Sequence, residues 1–510
     1  MNKKGFTLIE LLAVIAILAI LMLLVTPRLV KSIKSSKKDT FYDNVTLIYN
    51  TAILEYVDDN AQNDEYCDTC SNNLGNKIPN KFEYKVKFEE DKLIYIRITD
   101  KEYIYVKSDK NGINKKDLNK DDVKEYDPNA PEEREEFKGG TLSEAIMYNN
   151  PTISTRTDFS TPFLDNTANT LYKTTENGTD VYYFAGQDTA STPINNWVKF
   201  GTYKETLIKY RGYLDSTTTI YYQEYSTLEE CTSAKRYNVN CTEAKYFISG
   251  SPIYWRIIRT NSDGSIRLLY SGVDPNTIDA YIGITKFNES YDKSKYVGYM
   301  YGNSDSTLDS IRANTTDSNI KTFIDNWYKT NLTSYTNYLS NNAIYCVNRE
   351  LATGAKYSST NYFDFKSHEK LMTNKMPSYN CTNTKDAFSG NNAEAKLKYP
   401  IALMTVDEAI FIGGKYTQKS PLWYITNSSY GSIMGSQTWW LISPDSWLGT
   451  MASIYRVMGN NSSSPGSLGN SYVGGRDAVR PVISLKGCTL WKSGDGTANN
   501  PYEIQMNGGC

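Results

Sequence analysis

Residues 1–30 read MNKKGFTLIELLAVIAILAILMLLVTPRLV, a short basic leader that runs straight into an apolar segment. Over the 20 residues from Phe6 to Val25 the one charged side chain is Glu10. At about 1.5 Å of rise each, such a run makes roughly 30 Å of helix, the thickness of a bilayer's hydrocarbon core. A carboxylate near the end of a spanning helix is costly unless paired, so Glu10 is a candidate assembly residue whose partner is a positive group on a neighbouring chain. A secretory signal would be removed together with its apolar core. Here the run is long, no small-residue cleavage site follows it, and a helical pattern continues past Pro27 and Arg28. Pro27 removes one backbone donor and crowds the preceding turn, so a kink or local opening is expected there.

Beyond the basic stretch Lys31–Lys38, apolar residues recur at Phe41, Val45, Ile48, Tyr49, Ala52, Ile53 and Tyr56. They form one face of an amphipathic helix that reaches about Asp59. That stripe needs a local surface, and three short alternating runs supply it: Phe82–Phe88, Leu93–Ile98 and Glu102–Lys107. They are split by Glu89-Glu90-Asp91-Lys92 and Thr99-Asp100-Lys101, the pattern of an antiparallel meander. The expected fold class is α+β, with a long N-terminal helix packed on a small antiparallel sheet.

The segment Lys3-Lys4-Gly5-Phe6-Thr7-Leu8-Ile9-Glu10 resembles the class III leader of type IV pilins and type II secretion pseudopilins. The resemblance implies cleavage by a prepilin peptidase after Gly5 and methylation of the new amino terminus on Phe6. It also implies that Glu10 neutralises a neighbouring subunit's amino terminus during assembly, and that the helix bends or melts at Pro27 in the filament. The partners implied are other pilin or pseudopilin subunits and the membrane. The location implied is a single pass through the cell membrane, with the bulk of the chain outside in a surface filament. Only the leader and the helix carry this resemblance.

With 510 residues the chain exceeds one ordinary core. Its formal charge of −2 offers no broad basic field, so nucleic acid is a disfavoured partner. The single histidine, His368, lies in the polar stretch Phe365–Lys370, expected to be an exposed loop or helix end. Ser-His-Asp and Cys-His chemistry would have to use it, so no catalytic residue is assigned and the chain is expected not to be an enzyme. No cofactor and no metal site are expected. The eight cysteines, Cys67, Cys70, Cys231, Cys241, Cys346, Cys381, Cys488 and Cys510, are even in number, as in an exported disulfide framework. Sequence leaves the pairing open. Proximity favours four sequential pairs, while Cys67-Asp68-Thr69-Cys70 also admits redox or zinc chemistry, although neither a second CxxC nor a histidine lies near it.

The expected organisation is a leader over 1–5, a membrane and filament-core helix over 6–59, a β-head over 60–110, an acidic linker over 111–140, an accessory region over 141–250 and a C-terminal module over 251–510. The linker crowds Asp121, Asp122, Glu125, Asp127, Glu132, Glu133, Glu135 and Glu136 around Pro128 and Pro131. The rest is β-rich and mixed. A helix is expected at Thr141–Tyr148, strands at Asp180–Phe184 and Trp197–Phe200, and helical spacing between Ser306 and Ser340. The clearest hairpin joins Ile253–Arg259 to Ser265–Tyr270 through Asn261-Ser262-Asp263-Gly264. Later runs are Ile401–Ile410, Thr438–Pro444, Ser453–Val457 and Val479–Leu485. From Ile253 to Leu485 this set resembles an extracellular module of monoderm bacteria, with a tryptophan run before Ser443-Pro444 and Arg480-Pro481-Val482 near its end. More distantly it resembles the C-type-lectin-like fold shared with formylglycine-generating enzymes. Trp439 and Trp440 are candidate ligand-binding residues that either stack on sugars or belong to the core.

These readings converge on a minor, tip-type filament subunit that displays a binding or adhesion module for an extracellular glycan or protein, because a module of this size would crowd a helical shaft. The alternative is a pseudopilin-like part of a type II secretion or DNA-uptake machine. A surface-displayed glycosidase using two carboxylates is a third reading.

Overall fold

The computed structural model describes residues 8–59, 62–70, 72–109, 111–126, 139–215, 218–225, 227–234, 240–277, 279–427, 431–434, 437–459, 462–506, 508 and 510. Within them, the side chains of 8–31, 76, 214–215, 218–223, 244–246 and 431–432 are outside the description. Contacts divide the chain into two compact units, Met1–Glu135 and Glu136–Cys510.

In the first unit a single helix, Leu8–Asp58, passes through Pro27 without interruption. Its described half buries Phe41, Val45, Ile48, Tyr49, Ala52 and Tyr56, the expected face, with Ile53 packed at its edge. The surface it meets is a five-stranded antiparallel sheet in the order Glu65–Cys67, Glu83–Glu89, Lys92–Thr99, Tyr103–Ser108, Lys124–Glu125. Glu90 and Asp91 take the left-handed conformations, φ 47° and 60°, that a tight hairpin needs at both central positions. Asp91 also accepts a hydrogen bond from the Tyr56 hydroxyl (3.0 Å), so the hairpin tip is tied to the helix, and Tyr56 stacks on Phe88 at 3.9 Å. The linker expected over 111–140 needs correction in its first part. Ile113, Leu118 and Val123 are buried in the head core, and Lys124–Glu125 adds the fifth strand. Acidic composition concealed one apolar residue at every fifth position; residues 127–138 lie outside the description. Among the described residues no helix is long and apolar enough to cross a membrane, and the run Phe6–Val25 falls on residues whose side chains are outside the description.

The second unit is built on two sheets that share one apolar core. The larger has the order Ile401–Leu403, Pro481–Leu485, Ile266–Tyr270, Pro252–Thr260, Thr179–Tyr183, Thr170–Glu176, Thr152–Thr155. Trp197–Thr202 also joins Pro252–Thr260, and Tyr502–Ile504 runs parallel to it while pairing with Trp491–Ser493. The hairpin turns where expected, with Gly264 at φ 78° and the Ser265 amide donating to the Asp263 carboxylate at 3.0 Å. Residues 141–250 are not a separate region: strands at 152–202 belong to the same sheet as the hairpin at 252–270. Residues Leu207–Phe247 alone form their own three-stranded sheet.

The run Ile401–Ile410 divides. After the strand Ile401–Leu403, Thr405 caps a helix, Val406–Ile412, by accepting from the Glu408 amide (3.0 Å) while Glu408 accepts from the Thr405 amide (2.9 Å). All seven helix residues are buried, so no amphipathic period marks it. The second sheet has the order Ile284–Lys286, Arg476–Ala478, Trp439–Trp447, Ala452–Val457, Leu468–Tyr472, with Phe363–Asp364 added beside Trp447. Where the chain enters the unit, the Trp491 amide donates to the Gly140 carbonyl (2.9 Å) and the Leu142 amide to that of Thr489 (2.8 Å), next to the Cys488–Cys510 disulfide.

Candidate functional site

Gly5 and Phe6 lie outside the described residues. Glu10 and Pro27 fall within the helix Leu8–Asp58, their side chains outside the description. The cysteines form four sequential disulfides, Cys67–Cys70, Cys231–Cys241, Cys346–Cys381 and Cys488–Cys510, and none is free. Among the described residues no group of three or more His, Cys, Asp or Glu side chains is arranged to hold a metal ion.

Trp439 and Trp440 sit on a strand whose nine residues are all buried, and neither ring is exposed. Trp440 donates its indole N–H to the Thr285 carbonyl (2.9 Å), and Trp439 packs on Tyr424 and under the Arg480 guanidinium, 5.0 Å away. With both faces covered, these rings have no surface for a sugar; their work is in the core. Arg480, of the closing Arg-Pro-Val, is also fully buried. It donates to the Tyr270 carbonyl twice (3.0 and 2.9 Å) and to that of Tyr424, and burial beside Arg256 pushes it down to about 9.

His368 lies at a helix end, one of the two expected placements, but not an exposed one. It ends the turn Lys366–His368, half-buried, with Nδ1 2.8 Å from Asp445 Oδ1. Tyr455 Oη lies 3.3 Å from the same nitrogen and Asp364 Oδ1 3.8 Å. Asp445 is the buried hub: its other oxygen accepts from Ser446 (2.9 Å), Ser453 (3.0 Å) and Asn470 (2.6 Å). Burial alone would raise the Asp445 carboxyl, but hydrogen bonds from His368, Tyr455 and Asn470 hold it below its usual value. The hydrogen bond to Asp445 raises His368, against the opposing effect of burial. A carboxylate on Nδ1 fixes the ring and its tautomer and leaves Nε2 for another partner. Strand alternation puts Ser453, Tyr455, Asn470 and Tyr472 on one face, since Ser453 is registered with Tyr472 and Tyr455 with Asn470.

Around that face stand the three most exposed aromatic side chains among the described residues: Tyr362 at 57%, Tyr291 and Tyr472 at 44% each. They flank one turn, in which the Leu448 amide donates to the Met451 carbonyl (3.0 Å). Ala452, just past it, donates to Tyr291 (2.8 Å) and accepts from Val473 (3.0 Å), while Phe363, beside Tyr362, is registered with Trp447. Tyr291 and Tyr472 meet edge to face at 5.5 Å, and Tyr362 donates its hydroxyl to Asp364. Sequence reading missed this face because its members are 181 positions apart, from Tyr291 to Tyr472, and carry no local spacing. The one available signal was His368 itself.

A family model described as the prokaryotic N-terminal methylation motif matches residues 1–26. Searches of the curated proteins and of the solved structures returned no match to the chain.

Proposed function

We propose that this chain is a minor, tip-located subunit of a type IV pilin-like filament that displays a binding module outside the cell. The methylation motif at residues 1–26 carries the first half of this reading: it marks a chain processed by a prepilin peptidase and assembled with other pilin-like subunits as a membrane-anchored surface component. The second half rests on the size and construction of Glu136–Cys510, which has its own core and three disulfides. A unit that large would crowd a helical shaft, whereas a cap position leaves it free. The exposed apolar side chains Leu47, Leu54 and Val57, on the helix face turned away from the head's sheet, supply surface for neighbouring subunits. The module's task is binding, not catalysis. The leader serves a secretion or DNA-uptake pseudopilus equally well, so location decides between the two.

The test is antibody labelling of Glu136–Cys510 on intact cells, together with mass analysis of sheared filaments. Gold at filament ends and a chain beginning at methylated Phe6 are expected. Labelling along the shaft, or a chain that never leaves the membrane, overturns the tip assignment. Glu10→Ala should leave cleavage after Gly5 intact and remove the chain from filaments, since an unpaired buried charge costs several kcal/mol.

A further inference from the structure

Single exposed tyrosines are ordinary, but three around one turn, in a chain with 42, are not. We propose that the face bounded by Tyr291, Tyr362 and Tyr472 is a binding site for a neutral saccharide, with His368 and Asp364 taking its hydroxyls. The inference rests on the reading of Glu136–Cys510 as a binding module.

A pyranose presents an apolar C–H face and a rim of hydroxyls that both donate and accept, so its site needs an aromatic ring held still and a nearby donor and acceptor. Both are present. Tyr472 is braced edge-on by Tyr291, and the pair closes over Gly474, where a Cβ would lie 2.9 Å from the Tyr472 ring and 3.0 Å from that of Tyr291. Tyr362 is held through its hydroxyl by Asp364. Tyrosine carries only two side-chain torsions, so a braced ring loses little entropy on binding. Polar capacity remains beside the rings: Asp364 has one oxygen engaged by Tyr362, and His368 commits Nδ1 to Asp445, which leaves Nε2 for a ligand hydroxyl.

Charge selects among sugars. Two carboxylates, Asp364 and Asp445, face one imidazole, while Lys366 is paired with Glu369 at 2.8 Å and Arg456 with Asp477 at 3.1 Å. Such a site repels uronic-acid or sulfated chains and suits an uncharged one. Leu448 and Met451, exposed on the turn, would border the bound chain.

The test uses the full-length chain in detergent micelles, titrated calorimetrically with hexamers of β-1,4-linked glucose, β-1,4-linked N-acetylglucosamine and galacturonic acid. Saturable binding of a neutral hexamer and none of the acidic one is expected. Tyr472→Ala should weaken that binding roughly tenfold and Tyr472→Phe should restore it, as a stacking role requires. Asp364→Asn should weaken it with an unchanged melting temperature. No binding of either neutral hexamer, preference for the acidic one, or equal affinity in Tyr472→Ala overturns the proposal. Recovery of the chain in sheared filaments of the same cells reports separately on display: a chain present in filaments without saccharide binding overturns this face alone, and a chain missing from filaments overturns the display reading.

Discussion

The two units solve the same problem with different means. In the head, the buried polar residues among those described are Thr51 and Thr99, and charge pairs such as Lys34–Glu125 and Lys37–Glu102 lie on the surface. In the larger unit charge goes inside. Arg256 is fully buried against Asp188 (2.8 Å) between Trp197 and Trp423; Arg259 joins Glu176 (3.0 Å) to Glu408 (3.2 Å); Arg267 shares that Glu408 (3.0 Å). Arg349 holds Asp386 at 2.7 Å and four backbone carbonyls or amide oxygens besides. A long helix on a meander is specified by its apolar stripe alone. Long irregular loops have many carbonyls with no ladder partner, and a guanidinium with five donors satisfies several at once.

The contrast is most severely strained by Arg349→Ala. Asp386 would keep the residue-349 amide and Arg312 but lose its strongest ion pair, and several buried carbonyls would lose their donor, which should cost about 3 to 5 kcal/mol. In urea unfolding of the full chain only the transition of the larger unit should move; a shift in both would mean that the two do not unfold separately.

Disulfides separate the units in the same direction. Cys346–Cys381 spans 35 residues and Cys67–Cys70 spans 3. Loop-closure entropy assigns nearly 4 kcal/mol to the first and about 2 to the second. Paired serine substitutions compared by denaturation should rank them in that order, and equal losses would show that closure entropy is not the dominant effect.

A smaller, pH-dependent effect should appear in the larger unit, which holds the chain's single histidine. His368 is raised above its ordinary 6.5 by Asp445, so its contribution is complete below about 6.5 and disappears as pH rises through the folded-state value. Asp445 is lowered from 3.8, so its contribution holds above that value and is lost toward more acidic pH. The unit's melting temperature should therefore fall between pH 6.5 and alkaline conditions, and His368→Gln should flatten that limb. A slope unchanged in the variant would place the titration elsewhere.

The smallest effect is expected at the head's surface. Lys37→Ala breaks an exposed pair with Glu102 and should leave the melting temperature unchanged at any salt concentration.

Legibility in the sequence follows the same division. Phe41, Val45, Ile48, Tyr49, Ala52 and Tyr56 announce their buried face because one side of the helix is wet and period survives. The hairpin around Asn261–Gly264 is equally readable from its turn residues. The helix Val406–Ile412 is wet on neither side, so only its Thr405 and Glu408 cap distinguishes it from a strand. Trp439 and Trp440 look like ligand platforms until Tyr424, Arg480 and Phe287 pack against them. The Tyr291, Tyr362 and Tyr472 face exists only through pairing across the Trp439–Trp447, Ala452–Val457 and Leu468–Tyr472 strands, long-range register that no local pattern encodes.

The meeting of Gly140 and Leu142 with Thr489 and Trp491 has a mechanical consequence. Tension applied to the chain ahead of Gly140 enters the larger unit there and is handed at once, through two amide hydrogen bonds, to Thr489 and Trp491. The strand beginning at Trp491 is stapled behind by Cys488–Cys510 and flanked by Tyr502–Ile504, which itself lies along Trp197–Thr202 in the main sheet. A pull that would otherwise peel the first helix away is spread over a covalently closed loop and a sheet, so the entry point behaves as a strain-relief collar.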